Sequence, residues 1–329
     1  ALIGSSACTG GKPADKTGDA SVSTAKAEII GHFSADSAYR NIAQQVAFGP
    51  RVPGTEAHRQ CKDYIVSELM RYGVDSVLVQ EAEVTAFNGD RLPIYNIIAG
   101  FNTNRTARRR VLLVAHWDTR PWADQDLDVS KRSKPIDGAN DGASGVGVLL
   151  EIARNLGQLK PSIGVDLLFV DAEDYGRNSG FEDNSESWCL GTQYWVSHMI
   201  PYREDNLPYY GILLDMVGGR DAKFHYEYFS QQEARTPTIK VWSEAERLGF
   251  GDIFVREVGG AVTDDHVFIT NAGIPTTDII ESNNPVTSSF NPTWHTTDDR
   301  LENIDRRTLD AVGKTVLNVV YKEKPFSEK

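Results

Sequence analysis

The sequence contains no run of roughly 18 or more consecutive apolar residues, although 40% of its 329 residues are hydrophobic. Because a transmembrane helix needs such a run, no membrane-spanning segment is predicted. Basic residues are also scarce, since 34 Lys and Arg stand against 46 Asp and Glu, which gives a formal charge of −12. A protein that binds a phosphate backbone needs the opposite sign, so nucleic acid is not expected as a partner.

Internal repeats and mid-chain linkers are also absent, and the length is sufficient for one large α/β domain. Residues 1–27 differ in composition from the rest. Small residues lead into Cys8 in a segment that resembles a bacterial lipobox, the site at which a lipoprotein is cleaved and lipidated on its cysteine. Gly, Ser, Thr, Lys and Asp dominate the residues that follow, as in a flexible tether.

We therefore expect residues 1–27 to be a signal remnant and tether. The protein is then a lipoprotein of the bacterial cell envelope, periplasmic or on the outer membrane, with a lipid anchor at Cys8. An ordinary disordered N-terminus is the alternative.

Residues 28–329 are predicted to form a single catalytic domain. Apolar runs at 111–115, 165–170 and 210–214 are typical of buried strands, a further strand is predicted at 273–280, and 74–86 with 94–101 form a hairpin or sheet edge. Helices are predicted at 37–48, 55–72, 146–156, 188–199 and 236–248, with a short helical turn from 262 and a closing helix that ends near 321. The alternation predicts an α/β fold with a central mixed, largely parallel twisted sheet covered by helices on both faces.

The strand predicted at 165–170 ends abruptly in three acids, Asp171, Glu173 and Asp174. Open α/β sheets bind their ligands beyond the carboxyl ends of the strands. Crowded carboxylates raise each other's pKa, and a bound divalent metal removes that repulsion, leaving one carboxylate as ligand and another as base. A solvated acidic turn is the alternative.

Polar side chains also occur at other predicted element ends. His116 and Asp118 follow the strand at 111–115 and project to one face if the chain stays extended, as a ligand and its orienting partner would. Asp141 lies near the start of a helix, where it is either a cap or a metal ligand. Cys61 and Cys189 are candidates for a disulfide or for buried thiols.

The order of these residues resembles the zinc-dependent aminopeptidase (M28-like) family, from about residue 37 to the C-terminus. Within it, four segments resemble the glutaminyl-peptide cyclotransferases: His116-Trp-Asp118, Leu213-Leu-Asp215-Met-Val-Gly218, Asp264-Asp-His266 and Trp294-His-Thr296. Tryptophans beside two site histidines are not a general feature of the peptidases.

The resemblance implies an enzyme that converts the N-terminal glutamine of peptides or proteins to pyroglutamate and releases ammonia. It implies one zinc ion, with Glu173 as the acid/base. By motif position, the zinc ligands are Asp141, Asp174 and His295, the residues that hold the substrate amine or relay its proton are Asp215 and Asp264, and the pocket wall is Trp294. His116, Asp118, Asp265 and His266 are left as supporting residues or ligands of a second metal.

The chain departs from the family pattern at two places. The family has Glu-Glu where this chain has Glu173-Asp174, so one ligand arm is a methylene shorter. A tryptophan that animal cyclases carry just after the acidic pair has no counterpart in the four residues from Tyr175 to Asn178.

Two other functions are compatible with the pattern. In a two-zinc aminopeptidase, His116 and Asp215 would complete a second metal site and Glu173 would activate water. A catalytically inactive binding protein on the same fold is the third hypothesis, against which the complete set of ligand types argues.

Overall fold

The computed structural model describes residues 30–103, 109–178, 184–203 and 206–325. The predicted signal remnant and tether, with Cys8, lie outside these ranges. Within them, no helix combines the length and the apolar character that crossing a bilayer requires.

The described residues form eight strands. In chain order they are β1 (Ser76–Thr85), β2 (Arg91–Phe101), β3 (Arg110–His116), β4 (Gly164–Val170), β5 (Tyr210–Leu214), β6 (Phe224–Tyr226), β7 (Phe254–Val258) and β8 (Thr276–Ile279). Six of them build one sheet in the order β1-β2-β4-β3-β5-β8. The other two, β6 and β7, form a small parallel sheet that the sequence did not predict, because strands this short give little periodic signal.

The pairing in the main sheet is mixed. β1 and β2 form the predicted antiparallel hairpin, and β2 is also antiparallel to β4. The pairs β3 with β4, β3 with β5, and β5 with β8 are parallel. His116 pairs with Val170, so the residues after β3 and after β4 leave the sheet side by side. The predicted mixed, largely parallel sheet is confirmed.

Eight α-helices cover the sheet. They are α1 (Ala35–Ala47), α2 (Glu56–Arg71), α3 (Ala143–Gln158), α4 (Leu190–His198), α5 (Tyr228–Glu233), α6 (Arg235–Arg247), α7 (Asp265–Asn271) and α8 (Arg306–Lys322) among the described residues. Alternate residues of a strand point to opposite faces. In β3, Val111 and Leu113 pack with α1, α3 and α8 in the larger core, whereas Leu112 and Val114 pack with Trp195 of α4 and Ile269 of α7. Helices therefore lie on both faces, as predicted.

The start of α3 rules out one of the two roles predicted for Asp141, that of a helix cap. Asp141 is not its cap, because the N-cap position is Gly142, which makes no side-chain capping bond. Gly142 has a φ of 101°, and a Cβ there would lie 2.4 Å from the carbonyl oxygen of Asp118. Glycine thus lets the chain turn tightly into α3, and the Asp141 carboxylate is left available for other contacts.

Candidate active site

The predicted site residues meet at one edge of the main sheet. His116 ends β3, Glu173 and Asp174 follow β4, and Asp215 follows β5. These strands are parallel neighbours, so their carboxyl ends share one edge. Asp141 precedes α3 and His295 arrives from the loop before α8. Asp141, Asp174, Asp215, His116 and His295 are all buried, and Glu173 is 8% exposed.

Asp141, Asp174 and His295 form one of four groups among the described residues that could hold a metal ion. His295 Nε2 lies 3.0 Å from Asp174 Oδ1 and 3.6 Å from Asp141 Oδ2. Neighbouring ligand atoms around a tetrahedral zinc lie roughly 3.3 Å apart, and two carboxylates with one imidazole leave a position open. Both oxygens of the buried Asp174 carboxylate lack a hydrogen-bond partner, a costly arrangement that a bound cation relieves. These residues therefore fit zinc.

The shorter side chain of Asp174 still reaches this group. Its backbone N–H donates to Asp118 Oδ2 at 3.2 Å, and its carbonyl oxygen accepts from Arg120 at 3.0 Å. With the backbone held from both sides, the carboxylate contacts His295 without the extra methylene.

The second group consists of His116, Asp141 and Asp215. His116 Nε2 lies 3.1 Å from Asp141 Oδ1 and 3.1 Å from Asp215 Oδ1. Asp141 belongs to both groups and turns one oxygen toward each histidine. This arrangement is able to place two metal ions beside one shared carboxylate.

Glu173 lies beside both groups. Its Oε2 is 3.9 Å from His116 Nδ1, and its Oε1 accepts the thiol hydrogen bond of Cys189 at 3.5 Å. Burial, and then the nearby carboxylates of Asp264 and Asp174, raise the pKa of Glu173 well above its usual range. A carboxyl group with a raised pKa at this location suits proton transfer near neutral pH.

Three further carboxylates contact the backbone N–H groups or the histidine rings of the site residues. Asp118 accepts the backbone N–H groups of Glu173 and Asp174 and lies 3.4 Å from His116 Nδ1. Asp299 accepts from the backbone N–H of Asn140 at 2.7 Å and of Asp141 at 2.9 Å. Asp124 Oδ1 lies 3.4 Å from His295 Nδ1. Asp118 was predicted at the site, whereas Asp124 and Asp299 were not.

The backbone adopts the left-handed region at three points of the site. Ala172, Met216 and His295 have φ values of 49°, 50° and 54°. Residues other than glycine rarely adopt this region, and such strain concentrates at functional sites. Ala172 directly precedes Glu173 and Met216 directly follows Asp215, so the turns there aim the two acids.

Asp264, at the N-cap of α7, lines the same pocket as Asp215. Burial, and then the Asp215 carboxylate, raise the pKa of Asp264 to about 7. Asp265 is fully buried, and burial with the neighbouring Asp264 raises its pKa to about 8. Of the two residues predicted to support the site or bind a second metal, His266 forms a group with Asp264 and Asp278 that could hold an ion, whereas Asp265 joins no such group among the described residues.

His266 has acidic partners of its own. Its Nε2 lies 2.9 Å from Glu227, and its Nδ1 lies 3.4 Å from Asp278. Neither acid was singled out from the sequence. An aspartate within the predicted strand at 273–280 was the available signal for Asp278, whereas Glu227 follows the short unpredicted strand β6 and gave none.

A pocket of about 210 Å³ lies against the first metal-binding group. Met216, Val262, Ile280, Phe290 and Trp294 pack together as its apolar wall. The Trp294 indole stacks on the His295 ring with centroids 3.8 Å apart. Asp215 and Asp264 supply acidic groups to the lining, which therefore combines metal-binding, acidic and aromatic surfaces.

Trp188 also lines this pocket and was not predicted there. Its ring is nearly parallel to that of His295, with centroids 6.0 Å apart and an interplanar angle of 13°. A Cβ on Gly176 would lie 2.0 Å from the indole, so glycine at that position makes room for it. The available signal was a tryptophan at the start of a predicted helix, directly after the polar loop that follows the acidic strand. The Trp188 indole, from later in the chain, thus lines the pocket, although no tryptophan directly follows Glu173 and Asp174.

Both cysteines in the described part of the chain, Cys61 and Cys189, are buried and free. Of the two alternatives, the structure has the buried thiols and not the disulfide.

Comparison with known proteins identifies a family and several similar enzymes. The family model Peptidase family M28 matches residues 96–320. The structure of the Bacteroides thetaiotaomicron glutaminyl cyclase bound to N-acetylhistamine is 46% identical, with a TM-score of 0.85 over 90% of this chain and 100% of its own. A Zn-dependent exopeptidase from Parabacteroides distasonis is 50% identical, with a TM-score of 0.83 over 88% of this chain and 99% of its own. The glutaminyl-peptide cyclotransferase of Bos taurus is 25% identical over 291 residues, which are 80% of this chain and 76% of the bovine protein.

Proposed function

Since the chain belongs to peptidase family M28, we propose that it is a zinc-dependent glutaminyl-peptide cyclotransferase, which converts the N-terminal glutamine of peptides and proteins to pyroglutamate and releases ammonia. The family match confirms the resemblance of the motifs, and full-length similarity to a bacterial glutaminyl cyclase supports the activity. Within this chain, the observation that carries the proposal is the aromatic pocket built on the Asp141, Asp174 and His295 group.

The pocket suits the insertion of one residue. Its volume of about 210 Å³ is below the roughly 300–1,000 Å³ of sites that hold drug-sized ligands. The two indoles stack on the His295 ring, and Phe290 packs against Trp294, so this side of the pocket is apolar. Asp215 and Asp264 provide carboxylates for the α-amino group of the substrate. An N-terminal glutamine thus finds a partner for its amine and an apolar wall for its side chain.

We assign one zinc to Asp141, Asp174 and His295. Bound there, zinc supplies Lewis-acid polarisation of the side-chain amide carbonyl. Asp215 and Asp264 orient the α-amine, and Glu173 takes its proton as the nitrogen bonds to the amide carbon and closes a five-membered ring. Glu173 then returns the proton to the departing ammonia. Because attack within one molecule already has a high effective molarity, the protein mainly orients and desolvates the two groups.

Trp294→Ala should lower kcat/KM for glutaminyl peptides by an amount equivalent to roughly 1–3 kcal/mol, because it removes the wall against which the substrate packs. Steady-state kinetics with zinc analysis measures the effect, and zinc content should stay unchanged. Trp294→Phe, which keeps an aromatic ring, is the matched control and should retain most activity. Unchanged kcat/KM in the alanine variant contradicts the role of Trp294.

The two-zinc aminopeptidase is the second candidate, and the His116, Asp141 and Asp215 group is the observation that favours it. In that enzyme, Glu173 would activate a water molecule and the products would be free amino acids. A panel of peptides that start with glutamine or leucine separates the two activities. A cyclase releases ammonia from the glutaminyl peptides alone, whereas an aminopeptidase releases the first residue of its substrates.

We also propose that the protein is a lipoprotein of the cell envelope anchored through Cys8, since small residues precede this cysteine and a polar tether follows it. Mass spectrometry of the protein from bacterial membranes should find Cys8 lipidated at a new N-terminus. Cys8→Ser should release the protein from the membrane fraction, whereas Cys61→Ser, at a buried thiol, should leave it there. An unmodified Cys8 thiol on protein found free in the periplasm contradicts this anchor.

A further inference from the structure

A second cavity, of about 300 Å³, adjoins the catalytic pocket. Asn178 lines both cavities, so the two are neighbours at this residue. Phe87, Trp122 and Arg177 form walls of the second cavity, which we call the side cleft. The side cleft is therefore the cavity beside the pocket in which the proposed function places the first residue of the peptide.

A line of rings connects the side cleft with the catalytic pocket. The rings of Phe87 and Trp122 meet edge to face at 6.2 Å. The Arg120 guanidinium lies between Trp122, at 5.2 Å, and Trp188, at 4.9 Å. It is fixed there by hydrogen bonds to the carbonyl oxygens of Asp174 and Gly176, at 3.0 Å and 3.2 Å. The wall is therefore preorganised, which lowers the entropic cost of binding.

Of the two cations that line the side cleft, Arg120 and Arg177, only Arg120 has an ion pair within the described residues. Arg120 is neutralised by Asp124, to which it donates two hydrogen bonds of 2.9 Å and 2.7 Å. The Arg177 guanidinium lies over the Phe87 ring at 5.2 Å from its centroid. In the described ranges, no carboxylate forms an ion pair with Arg177. An anionic group that enters the side cleft therefore meets an available positive charge.

We propose that the side cleft binds the side chain of the second residue of the peptide substrate and that Arg177 favours an acidic side chain there. The inference rests on the proposed function, since it concerns a peptide held by its N-terminal residue. A glutamate would pack its methylenes on Phe87 and Trp122 and accept hydrogen bonds from the guanidinium. Such a preference runs against the overall charge of −12, so it is a local property.

Three peptides that differ only at the second position, Gln-Glu, Gln-Gln and Gln-Lys followed by one common sequence, test the inference. The kcat/KM of each is measured at low salt for the wild type, Arg177→Gln, Arg177→Glu and Arg40→Gln. Arg40 is exposed on α1, away from both cavities, and its variant reproduces the change in net charge. Zinc content is measured in every variant.

The wild type and Arg40→Gln should prefer Gln-Glu over Gln-Gln by about threefold to fivefold, as a partly exposed ion pair allows. Arg177→Gln should abolish this preference, and Arg177→Glu should shift it toward Gln-Lys. Added salt should weaken the wild-type preference. Equal ratios in the wild type and Arg177→Gln overturn the side-cleft inference while leaving the cyclase intact. Failure to cyclise any of the peptides overturns the proposed function and this inference with it.

Discussion

Glu173→Gln should lower kcat for glutaminyl peptides by about 100- to 10,000-fold while zinc stays bound. The amide keeps the shape of the carboxyl group but loses its basicity, so it cannot take the proton of the α-amine. The Cys189 thiol and the backbone N–H groups held by Asp118 keep the side chain in position. Because substrate contacts are unchanged, KM should change far less than kcat.

The matched control is Glu257→Gln, an identical change at an exposed position of β7, which should leave activity and zinc content unaltered. Steady-state kinetics and metal analysis on the same preparations measure activity and zinc content. Loss of zinc from Glu173→Gln would make Glu173 a metal ligand, and full activity would remove it from the reaction.

His295→Ala should lose both zinc and activity, whereas His116→Ala should keep about one zinc per chain. His295 is one of three ligands in the proposed single-zinc site, and a site with two protein ligands holds zinc poorly. His116 contacts Asp141 and Asp215 but is not a ligand of the proposed single zinc. Its loss should therefore cost about 10- to 100-fold in activity or metal affinity, as is typical for residues that orient ligands.

Metal analysis of the wild type and both variants distinguishes one ion from two. Two zinc ions in the wild type and one in His116→Ala would place a metal in the second group and support the aminopeptidase. His198→Ala, at an exposed histidine of α4, is the control for a histidine lost outside the site.

The fold, and the edge of the sheet at which the acids lie, could be predicted from the sequence for a physical reason. Buried parallel strands have apolar runs that are easy to locate, and their carboxyl ends share one edge. Asp215 follows such a run directly and Glu173 lies three residues beyond one, so their neighbourhood depended little on loop conformation. The assignment of zinc ligands depended instead on the family resemblance, since order along the chain does not determine which carboxylates face one another.

Residues carried by loops and irregular segments escaped prediction. Trp188 reaches the pocket through a loop whose path depends on the small size of Gly176. Asp299 and Asp124 act through backbone N–H groups and a histidine ring from distant parts of the chain. Glu227 and Asp278, which contact His266, also lie far from it in the sequence or outside any predicted motif. Long-range contacts of this kind are set by tertiary packing, which local patterns do not encode.

The most direct test of the proposed function is the product formed from one peptide. Wild-type protein with measured zinc content is incubated with a short peptide that begins with glutamine, and the mixture is analysed by mass spectrometry with an ammonia assay. We predict about one zinc per chain and a single product with a pyroglutamyl terminus, lighter than the substrate by the mass of one ammonia, in step with ammonia release. Free glutamine with a peptide shortened by one residue, formed by protein that holds two zinc ions, would contradict the cyclase and identify an aminopeptidase.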